Sequence, residues 1–328
     1  MLHPSPSPKN STTVRSHSAV RWVRAALQAA FALSDTVGTS LAERLFTSPR
    51  RYARPQREHA ILATGKRFTI DINLRSPRWA GERTEVAAWR WGVGPAVLLV
   101  HGWEGRGSQL GAFVEPLVRA GLSVVAFDAP AHGDSPGSRL YLTDHADTVV
   151  DVAKAVGPLH AIVAHSFGAP AVMLAYARGG IDAPRNVFIS PNALVPDSVD
   201  RFCKSVGLDE IERALFEQQL GASAGITVDG LRIQHLIGSR DSALLVLHDV
   251  DDREVPFAHG DRLAQLWPNA RLQATQGLGH RRILRAPTII ERVVQAVRDG
   301  VPLPASDLVR EVDRQLAAID AESAAISQ

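Results

Sequence analysis

The stretch Ala161–Pro170 predicts a serine held in a tight turn between a buried strand and a helix. Ala164 and Gly168 stand two residues on either side of Ser166, and small side chains are needed where a strand and a helix nearly touch. Such a turn strains the backbone of the serine and directs its Oγ out of the sheet. The apolar residues 169–177 predict the helix that follows. This arrangement suits nucleophilic attack on a carbonyl group.

Short apolar segments alternate with helical ones along most of the chain. Continuous apolar runs are typical of strands buried on both faces of a parallel sheet, and helices connect such strands. The clearest runs are Ala96–Val100, Leu122–Phe127, Asn186–Ile189 and Ala243–Leu247. Residues 67–72 and 85–91 predict an antiparallel hairpin before them, and residues 191–240 contain helical segments with no strand between them. We therefore predict an α/β fold, with a mostly parallel central sheet flanked by helices and a small helical cap insertion.

The composition narrows the possible functions. Cys203 is the only cysteine in 328 residues, so neither a disulfide framework nor a cysteine zinc site is expected. The low cysteine content also favours a reducing compartment, and a cytoplasmic location is therefore expected. No apolar run approaches the length that spans a bilayer. The glycines of Gly102–Gly107 have the wrong spacing for a dinucleotide loop, and no GxxxxGK motif occurs. The basic first 57 residues carry no nucleic-acid recognition motif, so no nucleic-acid partner is expected.

The N-terminal part of the chain is basic. Up to Arg57 there are nine Arg and Lys residues against two acidic ones. Residues 1–13 are rich in proline and serine and are predicted to be a disordered tail. Residues 14–60 show helical spacing of apolar residues and are predicted to be a basic amphipathic helical extension. Such an extension packs on the main domain or makes a peripheral contact with an anionic membrane through residues 14–57.

Further polar segments follow other predicted strands. Val100–Trp103 and Asp128–Ser135 come at the ends of two successive strands, and His248–Pro256 follows a third. Gly277–His280 lies in a glycine-containing loop after the last strand. With the serine turn, these segments occur in the order found in the α/β-hydrolase family, which the chain resembles over roughly residues 67 to 300.

The resemblance implies a catalytic triad and an oxyanion hole. Ser166 would be the nucleophile, His280 the general base and Asp252 the acid that orients the histidine, in the order along the chain that this fold uses. The backbone N–H groups of Trp103 and Phe167 would stabilise the negative charge that develops on the carbonyl oxygen. Neither a metal nor another cofactor is implied.

Two assignments in this site stay open at the level of sequence. Asp249 stands where the family usually has glycine, and Asp249 and Asp251 lie close enough to Asp252 to replace it as the acid. Together with His248 these carboxylates also resemble a set of metal ligands, although clustered carboxylates are more often turn formers. His259 is the alternative base, but it falls within the predicted helix after the acid loop.

The predicted domains are the tail, the extension, a hydrolase domain over 61–300 with its cap at about 191–240, and a C-terminal helix and tail over 301–328. The predicted function is a carboxylesterase-like serine hydrolase, which cleaves an ester or similar acyl bond of a small to medium apolar substrate. A C–C bond hydrolase, a lactonase and an acyltransferase use the same triad and stay open as alternatives. A different class of function, a non-catalytic ligand-binding protein on a hydrolase fold, also stays open.

Overall fold

A computed structural model describes residues 12–298, apart from residue 80 and residues 239 and 240. The predicted C-terminal segment 301–328 and most of the predicted tail 1–13 lie outside the described residues. The first helix begins at Thr12, so the last two residues of the predicted disordered tail are helical. Within the described part of the chain, no helix is both long and apolar enough to cross a membrane.

Eight strands and twelve α-helices are present in the described residues. The strands are β1 (Lys66–Asn73), β2 (Arg83–Trp91), β3 (Ala96–Val100), β4 (Ser123–Phe127), β5 (Leu159–His165), β6 (Arg185–Ile189), β7 (Ala243–Asp249) and β8 (Ala270–Thr275). The helices are α1 (Thr12–Leu33), α2 (Asp35–Thr47), α3 (Gln56–Ala63), α4 (Val114–Arg119), α5 (Leu142–Val156), α6 (Gly168–Ala177), α7 (Val195–Val206), α8 (Glu210–Ala224), α9 (Ile233–Ile237), α10 (Ala258–Leu266), α11 (Gly279–Arg282) and α12 (Pro287–Arg298).

All eight strands form one sheet in the order β1-β2-β4-β3-β5-β6-β7-β8. The β1–β2 and β2–β4 pairs are antiparallel and the other five pairs are parallel. Every residue of β3 and β4 is buried, because helices cover both faces of the sheet. The predicted fold class, with its hairpin and its mostly parallel sheet, is therefore confirmed. The parallel strands end at a common edge, where the loops that follow β3, β5, β7 and β8 meet.

Three helices, α7, α8 and α9, lie between β6 and β7, where the cap was predicted. A separate apolar cluster joins α7 and α8 to α1 and α2 of the N-terminal extension. Leu27 of α1, Ala42 of α2 and Phe216 of α8 are fully or almost fully buried in it. The backbone N–H of Leu140 also donates to the carbonyl oxygen of Thr47, at 2.9 Å, at the end of α2. The extension is thus packed on the cap and on the main domain.

The arginines that follow α2 bind groups within the protein. Arg51 donates to the carbonyl oxygens of Gly133 and Ser135 at 2.8 and 2.7 Å. Arg54 forms an ion pair with the fully buried carboxylate of Asp128 at 2.7 Å. These guanidinium groups fix the extension to the loop after β4, which agrees with the first of the two alternatives for the extension, packing on the main domain.

A buried ion pair fixes α3 to the segment after β3, and its loss is expected to destabilise the protein strongly. Arg106 donates to both carboxylate oxygens of Glu58, and Ser108 donates to one of them at 2.7 Å. Glu58→Ala leaves the buried guanidinium without its partner, so we expect the free energy of unfolding in urea to fall by ~3–5 kcal/mol. The control is Glu115→Ala, which removes a partly exposed i,i+4 pair with Arg119 and should cost about 0.5 kcal/mol or less. Equal effects of the two variants would contradict this assignment.

Candidate active site

Ser166 lies in the turn between β5 and α6 with a left-handed backbone, at a φ of 52°. A left-handed non-glycine residue is strained and is held only by its surroundings. Here the N–H of Ser166 donates to the carbonyl oxygen of Ile189, and its carbonyl oxygen accepts from the N–H of Asn192, at 3.0 and 3.1 Å. A Cβ at Gly168 would lie 2.6 Å from the carbonyl oxygen of Val100, so no larger residue fits. The strained turn that the sequence predicted is present.

The loop after β3 runs against this turn. A Cβ on Gly102 would lie 2.8 Å from the Cβ of Ser166, which only glycine avoids. The next residue, Trp103, packs its ring edge-on against the ring of Phe167, with 5.6 Å between the centroids. Among the described residues, no hydrogen bond occupies the backbone N–H of Trp103 or of Phe167.

His280 and Asp252 are brought together at the ends of β7 and β8. Nδ1 of His280 donates to Oδ2 of Asp252 at 2.7 Å, and both side chains are buried. Oδ1 of the same carboxylate accepts from the backbone N–H groups of Glu254 and Val255, each at 2.9 Å. These bonds fix the proton of His280 on Nδ1 and leave Nε2 as a proton acceptor.

The surroundings of Asp252 favour the ionised form of its carboxyl group. Burial opposes ionisation, but hydrogen bonds from His248 and His280 and from the N–H of Val255 outweigh it and hold the pKa of Asp252 well below its usual range. The nearest atom of His248, Nε2, lies 3.5 Å from Oδ2 of Asp252 and 3.1 Å from the carbonyl oxygen of Val255. The ring of His248 therefore lies close both to the carboxylate of Asp252 and to the backbone of the loop that carries it.

The neighbouring carboxylates make different contacts. The buried Asp249 accepts from the hydroxyl of Thr275 and the N–H of Leu278, at 2.8 and 2.9 Å. Asp251 accepts from the N–H of Gly277 at 3.1 Å. Both thus hold the loop that carries His280, whereas Asp252 contacts its ring. In the described part of the chain, no group of three or more His, Cys, Asp or Glu side chains is placed to hold a metal ion.

Two other histidines support the loops of the site. Nε2 of His165, next to the serine, lies 3.0 Å from the carbonyl oxygen of His280, and burial lowers the pKa of His165 to about 3. His101 accepts from the N–H of Ala129 at 2.9 Å and so ties the loop after β3 to the loop after β4. Because it is buried beside other histidines, the pKa of His101 lies well below its usual value.

The alternative base, His259, lies elsewhere. It belongs to α10, and its Nδ1 accepts from the backbone N–H of Leu194 at 3.2 Å, at the start of the cap. Burial lowers the pKa of His259 to about 4. The structure thus brings His280, and not His259, to the acid.

The sequence leaves Asp249 and Asp251 open as a competing acid, as metal ligands or as turn formers. Their contacts are closest to the last of these, but the sequence gives no sign that they bind the loop that carries His280. The sequence also does not predict that the N-terminal extension packs beside the site. Helical spacing of apolar residues indicates that one face of a helix is buried, but it does not identify the element that covers this face.

Comparisons with known proteins identify the family of this chain. The family model described as "Alpha/beta hydrolase family" matches residues 97–293, which is more than half of the chain. The chain belongs to the α/β-hydrolase family. It is accordingly an enzyme of the hydrolase class, and both predictions are confirmed.

Several solved structures share the fold at low identity. The protein Est1E from Butyrivibrio proteoclasticus, solved with ferulic acid bound, is 20% identical with a TM-score of 0.54, over 66% of this chain and 94% of that one. A bromoperoxidase from Bacillus anthracis is 17% identical with a TM-score of 0.55, over 71% of this chain and 100% of that one. An esterase from Pyrococcus furiosus is 17% identical with a TM-score of 0.55, over 77% of this chain and 97% of that one. No curated protein matches the sequence of this chain significantly.

Proposed function

We propose that the protein is a serine carboxylesterase that uses Ser166, His280 and Asp252 as its triad. The observation that carries the proposal is the 2.7 Å hydrogen bond from Nδ1 of His280 to Asp252. It gives the histidine the tautomer and the orientation that a general base requires. The strained turn at Ser166 and the two unoccupied N–H groups beside it support the same assignment.

The geometry supports acyl transfer in two steps. Oγ of Ser166 attacks the carbonyl carbon of the ester while Nε2 of His280 takes its proton, and the N–H groups of Trp103 and Phe167 bind the resulting oxyanion. The tetrahedral intermediate collapses as His280 gives the proton to the departing alkoxide, which leaves as the alcohol. A water molecule, deprotonated by His280, then attacks the acyl-serine ester and releases the carboxylic acid and Ser166. Asp252 stabilises the imidazolium in both steps.

Labelling with a fluorophosphonate serine probe tests the proposal. The wild-type protein is expected to be labelled at Ser166 and to hydrolyse p-nitrophenyl esters, and Ser166→Ala is expected to lose both, because the nucleophile is absent. The matched control is Ser190→Ala. Ser190 also follows a strand with a positive φ, of 45°, but its side chain is fully buried, so this variant should keep both the label and the turnover.

The remaining outcomes separate the alternatives. A folded wild type that binds ester analogues without labelling or turnover would favour the ligand-binding protein over the enzyme. Labelling without ester hydrolysis would favour one of the other acyl reactions, and product analysis with C–C, lactone and acyl-acceptor substrates would distinguish them.

A further inference from the structure

A cavity of about 340 Å³ lies between the N-terminal extension, the cap and the sheet edge. Its lining comes from α2, from the residues before and at the start of α5, from α7, α8 and the segment after α8, and from the two residues proposed as oxyanion donors. None of the described lining residues is charged. The apolar side chains that line it include Phe46, Trp103, Leu140, Phe167, Phe202 and Val228.

One end of this cavity reaches the two proposed oxyanion donors, although Ser166 and His280 are not among its lining residues. Trp103 and Phe167 both line it. Phe167 follows Ser166 directly in the chain, and Trp103 follows Gly102, where an added Cβ would lie 2.8 Å from the Cβ of Ser166. A carbonyl group bound by the two backbone N–H groups would therefore lie at this end of the cavity.

The outer wall is built by the N-terminal extension. Leu45, Phe46 and Thr47, at the end of α2, line the cavity. The half-buried ring of Phe46 packs edge-on against Phe202 of α7 and Phe216 of α8, with centroid distances of 5.0 and 5.7 Å. This wall is therefore continuous with the cap and is not a separate surface.

Polar bonds hold α2 in this position. The buried carboxylate of Glu43 accepts from the hydroxyl of Tyr141 at 3.1 Å and lies 3.9 Å from the guanidinium of Arg139. The hydrogen bond from the backbone N–H of Leu140 to the carbonyl oxygen of Thr47 fixes the end of α2. A wall anchored on the main domain can impose a fixed length on a bound chain.

We infer that this cavity binds the acyl group of the substrate, and that Phe46 of the N-terminal extension sets how long that group can be. This inference rests on the proposed esterase function. At the ~30 Å³ that a water molecule occupies in the liquid, a cavity of this size holds roughly ten methylene-sized groups. An uncharged, apolar lining disfavours a charged acyl group, because no partner would compensate its desolvation. The substrate class is therefore an ester of a medium-chain, uncharged carboxylic acid.

The test is the chain-length profile of kcat/KM for full-length variants, with p-nitrophenyl acetate, butyrate, hexanoate, octanoate, decanoate, dodecanoate and palmitate. The wild type is expected to have its highest kcat/KM in the range from hexanoate through octanoate to decanoate. Phe46→Ala removes the wall and should raise kcat/KM for dodecanoate relative to butyrate about tenfold or more. Phe46→Trp extends the wall and should shift the optimum towards butyrate. Phe46→Leu, a milder change, keeps the test valid if the alanine variant does not fold, and should shift the profile in the same direction as alanine.

The control is Val37→Ala, at a half-exposed residue of the same helix that does not line the cavity. It should leave the profile unchanged. If the wild type hydrolyses these esters and no folded Phe46 variant changes the profile, the inference is wrong and the proposed function stands. If the wild type hydrolyses none of them and is not labelled by the serine probe, the proposed function itself fails.

Discussion

Asp252→Asn is expected to lower kcat for ester hydrolysis by ~10⁴-fold at neutral pH, because an amide in this place favours the wrong tautomer of His280 and cannot stabilise its imidazolium. Asparagine keeps the shape of the side chain. Its Oδ1 can still accept from the N–H groups of Glu254 and Val255, so the acid loop should keep its conformation. Stopped-flow or steady-state kinetics on the folded variant measure the loss.

The neighbouring carboxylates provide matched controls on the same loop. Asp251→Asn removes the charge that holds the N–H of Gly277 but leaves the ring of His280 untouched, and kcat should fall by less than about tenfold. Asp249→Asn weakens two bonds to the loop after β8 and should give an intermediate loss in kcat with little change in KM. The assignment of Asp252 is wrong if Asp251→Asn or Asp249→Asn loses as much activity as Asp252→Asn.

This comparison also shows where prediction from the sequence ends. The sequence places three aspartates within four residues, and only the turn decides which carboxylate faces the histidine. In that turn the N–H of Asp252 donates to the carbonyl oxygen of Asp249, and the N–H of Asp251 to the side chain of Asp249. These bonds direct Asp249 and Asp251 towards the backbone of the histidine loop and leave Asp252 for the ring.

The parts predicted correctly are those that depend on local sequence. The strand, the small flanking residues and the helix around Ser166 suffice to predict its strained turn, and the alternation of strands and helices predicts a mostly parallel sheet. The cavity could not be predicted in this way. Phe46 and Phe202 meet across distant parts of the chain, and an amphipathic pattern does not specify the partner of an apolar face.

The protein is expected to lose folding stability as the pH falls below about 6.5. Five histidines are buried, and burial is the largest cause of a lowered pKa in each of them. The pKa of His101 lies well below its usual value, the pKa values of His132 and His259 are about 4, and those of His145 and His165 are about 3. Below pH ~6.5 the unfolded chain binds protons at these sites and the folded protein does not, so each site removes about 1.4 kcal/mol of stability per pH unit as the pH falls. Burial raises the pKa of Asp128, Asp144 and Asp147, which opposes this loss. The histidines outnumber these carboxyl groups, so the net effect of acidification is a loss of folding stability.

His145→Phe tests the cause, because both ring nitrogens of His145 lack a hydrogen-bond partner within the described part of the chain and its ring stacks on Phe167 at 5.8 Å. In urea titrations at a series of pH values, this variant should flatten the pH dependence by about 1.4 kcal/mol per unit, whereas His235→Phe, at an exposed site on α9, should not. An unchanged slope in His145→Phe would mean that other groups cause the loss of stability in acid.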